Sequence, residues 1–127
     1  MKEPTIRALM VEPGKGPKEI VLSNTLDALQ KAVSIGTDYQ GLIEIIPLED
    51  DVLLLCNEEG KFNGLKPNRR VGEDILCGVF YLIGEGEDGE LASLSDSSMQ
   101  AYMKRFAEPE CIADWEVDKV LIMRFFC

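Results

Sequence analysis

The stretch Ile75-Leu-Cys-Gly-Val-Phe-Tyr-Leu-Ile83 is almost wholly apolar, and turn-forming residues bound it on both sides. A run of this length between turns predicts a central β-strand whose two faces are both covered. Gly78 inside the run indicates a bulge or a close approach of another part of the chain. The run is far shorter than the roughly 20 apolar residues that a membrane helix needs. We therefore expect a fold built around a sheet with this segment at its centre.

The N-terminal half predicts the order strand, strand, helix, strand, strand. Leu26, Leu29 and Val33 recur at a helical spacing and give the helix one apolar face. The expected elements are strands Thr5–Val11 and Lys18–Leu22, a helix between its N-cap Asn24 and Gly36, and strands Gly41–Ile46 and Val52–Cys56.

The C-terminal half predicts one more helix and two more strands. Met99, Tyr102, Met103 and Phe106 form the apolar stripe of the helix. The expected elements are a short strand at Leu91–Leu94, a helix that Ser95 caps and Pro109 stops, and a final strand at about Val117–Phe126.

These elements predict a single α+β domain over residues 1–127, with two helices packed on a mixed β-sheet. The opening order is typical of a β-grasp domain, in which the helix crosses an N-terminal hairpin. It fits equally a helix that forms a crossover to a strand parallel with the first. Periodicity does not give the strand order, so both topologies stay open.

Charge and composition restrict the partners. The 127 residues carry a formal net charge of −10, and the sequence pI is about 4.4. This charge opposes direct nucleic-acid binding and docking on anionic membranes. We expect a cytoplasmic protein, for which two interpretations remain. The acidic surface either serves solubility alone or engages a basic protein.

The chain contains no histidine. Triads and dyads that use a histidine base, and metal sites with histidine ligands, are therefore excluded. Cys56, Cys77, Cys111 and Cys127 are widely separated, and none forms the close pairs of a zinc or iron–sulfur site. We expect no metal and no cofactor, and we assign no catalytic residue. Catalysis by carboxylates, lysine or cysteine stays open, although an enzyme is not the favoured interpretation.

A basic segment interrupts this acidic chain. Lys61–Arg70 holds four basic residues and no acid. Adjacent arginines can present guanidinium groups to a carboxylate or a phosphate. Alternatively, they pair with the chain's own abundant carboxylates, such as Glu73 and Asp74. We predict a binding site for a protein partner or a small anionic ligand, formed by Asn57, Glu58, Lys61, Asn68, Arg69 and Arg70.

The acidic segments give weaker indications of a binding site than the basic segment does. Gly84–Gly89 lacks the Gly-Lys-Ser/Thr sequence of a phosphate-binding loop and the spacing of a calcium loop. Glu49–Asp51 reads as a charged connection between two strands. If several acidic clusters shared one face, they could imitate the charges of a DNA backbone.

Several segments resemble the family of domains of unknown function numbered 3846, over about residues 5–109. The residues that carry the resemblance are Val11–Gly14, Asn24–Gln30, Gly41–Leu48, Cys56–Lys61, Gly64–Leu65, Pro67–Arg70, Ile75–Gly78 and Leu94–Asp96. The resemblance implies a bacterial cytosol and a mobile-element setting, and it brings no catalytic residues.

Three functional hypotheses follow. The first is a non-enzymatic binding or adaptor protein that contacts its partner through Asn57–Arg70. The second is a small-molecule or nucleotide-binding protein with an anion site at Arg69 and Arg70, a hypothesis that leaves an enzyme open. The third is an acidic anti-restriction or DNA-mimic protein. The oligomeric state is open in all three.

Overall fold

The computed structural model describes residues 3–37, 40–60 and 64–126, with side chains up to residue 120. The described elements are, in chain order, β1 (Thr5–Val11), β2 (Lys18–Ser23), α1 (Leu26–Val33), β3 (Ile43–Glu49), β4 (Val52–Asn57), β5 (Pro67–Val71), β6 (Asp74–Cys77), β7 (Phe80–Glu85), β8 (Leu91–Ala92), α2 (Asp96–Arg105) and α3 (Asp114–Phe126).

The main sheet has the strand order β2-β1-β7-β4-β3, and β8 pairs with β7 beside it. Strands β5 and β6 form a separate hairpin. The predicted α+β class is confirmed. The predicted mixed sheet is wrong, because every pairing in the described part of the chain is antiparallel. A β-grasp is wrong for the same reason, since that topology needs a parallel neighbour beside the first strand.

Helix α1 connects the two edge strands of the main sheet, β2 and β3, and packs on one sheet face through Leu29 and Val33. The crossover therefore spans the whole sheet, which leaves room for β7 between β1 and β4. Thr25 caps the helix by accepting a hydrogen bond from the Ala28 amide at 3.2 Å. The predicted cap, Asn24, is instead buried and donates to the Glu3 carbonyl at 2.8 Å.

The apolar run Ile75–Ile83 forms two strands, not one. Gly78 has a φ of +83°, and a Cβ there would lie 2.7 Å from the side chain of Leu65. Only glycine adopts this conformation readily, so the chain leaves the small hairpin at Gly78 and enters the main sheet. The prediction of a central strand covered on both faces is confirmed for β7, in which the first five of six residues, Phe80–Gly84, are buried.

Strand β7 divides the core into two layers. Phe80 and Leu82 point to the face that α2 and the β5–β6 hairpin cover, whereas Tyr81 and Ile83 point to α1. The Tyr81 hydroxyl donates to the Ala32 carbonyl at 2.8 Å. Burial, together with the smaller effect of the negative charge of Glu12, raises the pKa of this hydroxyl to about 12.

Helix α2 begins as predicted, because the Ser95 hydroxyl accepts from the Ser98 amide at 3.2 Å. Of its predicted apolar stripe, Met99, Tyr102 and Phe106 are buried, and Met103 is exposed.

The C-terminal segment is helix α3 rather than the predicted strand, so the described fold has three helices rather than two. Its aromatic and β-branched residues favour a strand. However, Glu116 reaches back to accept from the Ala113 amide at 2.8 Å, which is half of a capping box. Val117 and Val120, three residues apart, then pack on Ile75 and Cys77 of the hairpin. Tertiary packing and the cap override the strand propensity. No helix in the described residues is long and apolar enough to span a membrane.

Gly84 allows β8 to lie against β7. A Cβ at Gly84 would lie 2.3 Å from the Ser93 carbonyl oxygen, which is part of the backbone and cannot move aside cheaply. We expect Gly84→Ala to lower the free energy of unfolding by about 1–3 kcal/mol, the usual cost of overpacking. Urea denaturation measures this. The control is Gly16→Ala, whose nearest contact is at 3.6 Å. Equal effects of the two substitutions would contradict the described β7–β8 packing.

Candidate binding site

Arg69 lies inside the protein, with 1% of its surface exposed. Its guanidinium donates to the carbonyl oxygens of Lys15 at 2.7 Å and Phe106 at 2.9 Å. It also donates to the side-chain oxygen of Asn68 at 2.7 Å. These acceptors belong to the β1–β2 turn, the end of α2 and β5. The group that the sequence predicted as an anion anchor therefore binds the chain's own backbone.

Asn68 extends this network. Its fully buried amide nitrogen donates to the Val11 carbonyl at 2.9 Å and to the Gly78 carbonyl at 2.8 Å. A buried carbonyl without a hydrogen-bond partner would cost roughly 1–3 kcal/mol. Each of these bonds therefore stabilises the contact between β5 and a distant segment of the chain. We call Asn68 and Arg69, with these four carbonyl groups, the Asn68–Arg69 network.

Burial lowers the pKa of Arg69, and the negative charge of Glu110 partly opposes this effect. Arginine nevertheless keeps its charge in proteins, because its ordinary pKa exceeds 12. The Nε atom of Arg69 is buried and has no hydrogen-bond partner among the described residues. The positive charge is thus stabilised mainly by carbonyl dipoles, and it does not reach the surface.

Arg70 lies on the opposite side of the hairpin and is exposed. Its guanidinium pairs with Glu110 at 2.9 Å and with Glu116 at 2.5 Å, while its amide donates to Glu110 at 3.0 Å. The alternative expectation, pairing with the chain's own carboxylates, is confirmed for Arg70. Its partners come from the segment that ends in α3, and not from Glu73 and Asp74, which the sequence suggested as examples. Both carboxylates raise the pKa of Arg70 through hydrogen bonds.

Asn57, Glu58 and Lys61 are the remaining predicted site residues. Asn57 ends β4, is buried, and accepts from the Glu59 amide at 2.8 Å. Its amide nitrogen is buried without a described partner and packs where a side chain at Gly41 would lie. Glu58 is exposed, and Lys61 lies outside the described residues. The described contacts therefore join Asn68 to Arg69 and do not join Asn57 or Glu58 to either of them.

A tryptophan marks a surface that the sequence interpretation missed. Trp115, the only tryptophan of the chain, is 66% exposed on α3. It borders a cleft of about 250 Å³ between α3 and the β5–β6 hairpin, together with Ile75 and Val120. The charged residues of this cleft are Arg70, Glu73, Asp74, Glu116 and Lys119. A helical interpretation of residues 114–126, with Val117 and Val120 facing inward, would have placed Trp115 on the outward side of the helix, away from the packed residues.

A second cleft, of about 370 Å³, lies between the end of α1 and the loop before β5. Its wall is mostly apolar, with Ile35, Leu65 and Val79, and neither Arg69 nor Arg70 lines it.

Two acidic turns adjoin at one end of the main sheet. The pairing of β4 with β7 places Val52 opposite Gly84, and the Glu85 amide donates to the Asp51 carbonyl at 3.3 Å. The turn Glu49–Asp51 therefore lies beside Glu85 and the turn that follows it. Antiparallel pairing has concentrated negative charge that the sequence shows only as separate clusters.

The described fold and surfaces define an α+β protein with an antiparallel sheet, a buried arginine network and an exposed tryptophan. The model of the family described as "Domain of unknown function (DUF3846)" matches residues 6–107, and the chain belongs to this family. The resemblance over about residues 5–109 is confirmed. Comparison with curated proteins and with solved structures gave no match. Glu110, Trp115 and α3 lie beyond the matched region.

The two arginines should differ sharply in their effect on stability. Arg69→Met leaves buried carbonyls without donors, and hydrogen bonds to charged groups contribute about 1.5–3 kcal/mol each. We expect the free energy of unfolding to fall by about 3 kcal/mol or more, or the variant to fail to fold. Arg70→Met, the matched control, should lose much less because its ion pairs are exposed. Similar losses in urea denaturation would contradict the assignment of Arg69 to the interior.

The attachment of α3 should depend on pH. The Ala113 amide and then Arg70 hold the pKa of Glu116 below its ordinary value. A carboxyl with a lowered folded-state pKa stabilises fully above its ordinary pKa of about 4.3. That contribution is lost as the pH falls through the folded-state value. Wild type should therefore exceed Glu116→Gln in stability at pH 6, and the difference should shrink steadily as the pH falls below about 4.3.

Urea denaturation at several pH values, followed by Trp115 fluorescence, measures this difference. In the Arg70→Met background the effect of Glu116→Gln should be smaller, because one of the two causes is gone. A difference that persists unchanged at low pH would contradict the described contacts of Glu116.

Proposed function

We propose that this protein is a non-enzymatic binding or adaptor protein that engages a positively charged segment of another protein. Its contact surface comprises Arg70, Glu73, Trp115 and Lys119, with the cleft between them; we call it the Trp115 surface. The observation that carries the proposal is the 66% exposure of Trp115 beside this cleft.

An exposed tryptophan contributes little to folding. A tryptophan side chain buries about 150–250 Å² when it is covered, so leaving it in water forgoes a large hydrophobic gain. Tryptophan and arginine are the residues most enriched among those that dominate binding energy at protein interfaces. Trp115 and Arg70 border the same cleft, and two ion pairs hold the Arg70 side chain in place. This combination supports a protein-binding role.

The charges near Trp115 favour a cationic partner segment. Asp114 and Asp118 are exposed on α3 next to Trp115, and Glu73 is exposed across the cleft. The positive charge of Arg70 is balanced by Glu110 and Glu116, which leaves Lys119 as the cleft's other cation. A lysine or arginine of the partner would gain both ion pairing and a cation–π contact with the indole.

The chain as a whole supports the same choice of partner. Its net charge of −10 attracts cationic proteins over long distances and repels nucleic acids. The two adjoining acidic turns strengthen this field at one end of the sheet. We place this activity in the cytoplasm of a bacterium or its mobile elements, in line with the family resemblance.

The other hypotheses receive less support. An anionic ligand at Arg69 and Arg70 would have to displace the carbonyl groups around Arg69 or the carboxylates of Arg70. The DNA-mimic hypothesis stays a second candidate, because the adjoining acidic turns are the feature that it requires. It predicts that duplex DNA competes with this protein for its partner.

The experiment uses a photo-cross-linking amino acid at position 115, in cells that naturally express the protein. A second protein with the same group at position 26 is the control, because Leu26 is 68% exposed on a different surface. We expect a partner that cross-links only from position 115, through a segment rich in lysine or arginine.

Binding of the purified partner then tests the surface. Trp115→Ala and Glu73→Lys should each raise Kd at least about tenfold, whereas Leu26→Ala should leave it unchanged. Since Trp115 is the only tryptophan, its fluorescence follows binding at the surface directly. The proposal fails if no product is specific to position 115, if the contact segment is acidic, or if Trp115→Ala leaves Kd unchanged.

A further inference from the structure

The two edges of the main sheet are protected differently. Edge strand β3 contains Pro47 and a register shift between Pro47 and Glu49, both of which hinder the addition of another strand. Edge strand β2 contains no proline, and its pairing with β1 runs without a shift from Lys18 to Ser23. A regular, unprotected edge is a template for a further strand.

The hydrogen-bond pattern shows which groups of β2 face outward. The Asn24 amide donates to the Pro4 carbonyl at 2.9 Å, in continuation of the β1–β2 register. Hydrogen-bonded and non-hydrogen-bonded pairs alternate in an antiparallel ladder, so Leu22, Ile20 and Lys18 bond to β1. The backbone groups of Glu19, Val21 and Ser23 therefore point away from β1.

The neighbouring strand confirms this assignment. Arg7 lies opposite Val21, and its amide and carbonyl bond to Ser93 and Leu94 on the far side of β1. The outward amides and carbonyls of Glu19, Val21 and Ser23 have no described partner. They form a continuous row of donors and acceptors along the edge.

We propose that β2 pairs antiparallel with β2 of a second copy of this chain, about a two-fold axis at Val21. In this register Val21 lies opposite Val21 of the second copy, and Glu19 lies opposite Ser23. Each of these pairs exchanges two backbone hydrogen bonds. The two main sheets become one continuous sheet across the dimer.

The side chains of β2 suit this pairing with itself. Val21 is 65% exposed, and the two copies of it cover each other. On the other face Ile20 lies opposite Leu22, which extends the core layer under α1. No like charges face each other, because Lys18 lies opposite Asn24 and Glu19 opposite Ser23. Glu19 also pairs with Arg7 at 2.9 Å, so its charge is already balanced.

The net charge of each copy sets the conditions for association. Two chains with −10 each repel one another, and salt screens this repulsion with a Debye length of about 10 Å at 0.1 M. The dimer should therefore become tighter as the ionic strength rises. A contact held by ion pairs would respond to salt in the opposite way.

Sedimentation velocity over a range of protein and salt concentrations tests the proposal. We expect a monomer–dimer equilibrium for the wild type. Val21→Pro removes an outward amide without removing a bond to β1, and edge strands tolerate proline at such positions. It should weaken the dimer at least about tenfold. Val21→Thr keeps the amide and the strand propensity, and it should dimerise like the wild type.

Val21→Lys gives a second measurement that does not depend on how well the proline variant folds. It places two like charges opposite each other and should also weaken the dimer, most strongly at low salt. Trp115→Ala should leave the equilibrium unchanged, which separates this interface from the Trp115 surface. A wild type that is monomeric throughout, or a folded Val21→Pro or Val21→Lys variant that dimerises like the wild type, would overturn the proposal.

Discussion

The Asn68–Arg69 network is the interaction on which the remaining structure depends. Two adjacent side chains of β5 bind backbone carbonyls at the end of β1, in the β1–β2 turn, at the β6–β7 junction and after α2. These hydrogen bonds hold the small hairpin, the main sheet and α2 in one arrangement. Of these carbonyls, those of Lys15, Gly78 and Phe106 lie outside the strands, so a buried amide and guanidinium supply their hydrogen bonds.

This network separates the inside of the hairpin from its outside. The register shift between Pro67 and Arg69 allows Asn68 and Arg69 both to face the core, whereas Arg70 faces α3. The outward side receives Val117 and Val120 of α3 and the two carboxylates that pair with Arg70. The surface that carries Trp115 thus depends on which way one pair of neighbouring arginines points. It also depends on a helix beyond the part of the chain that the family model matches.

Charge and strand-edge geometry distinguish two regions of the molecular surface. Negative charge collects where the β3–β4 and β7–β8 turns meet, and the edge at β2 is locally balanced by the pairing of Arg7 with Glu19. A partner of opposite charge and a second copy of the chain therefore suit different regions. The first is attracted by the field of the whole protein, and the second needs a neutral, regular row of backbone groups.

The sequence by itself determined the α+β class, most element positions, the central strand and the cap at Ser95, because periodicity, turn residues and caps are local signals. It did not determine the antiparallel strand order, the helical state of residues 114–126 or the orientation of Arg69. Those depend on contacts between distant residues, such as Arg69 with Phe106 and Val117 with Ile75. A basic pair has the same local pattern whether its charge meets solvent or buried carbonyls. Only the tertiary structure decides whether such a pair is exposed or buried, because it alone determines which groups are removed from water.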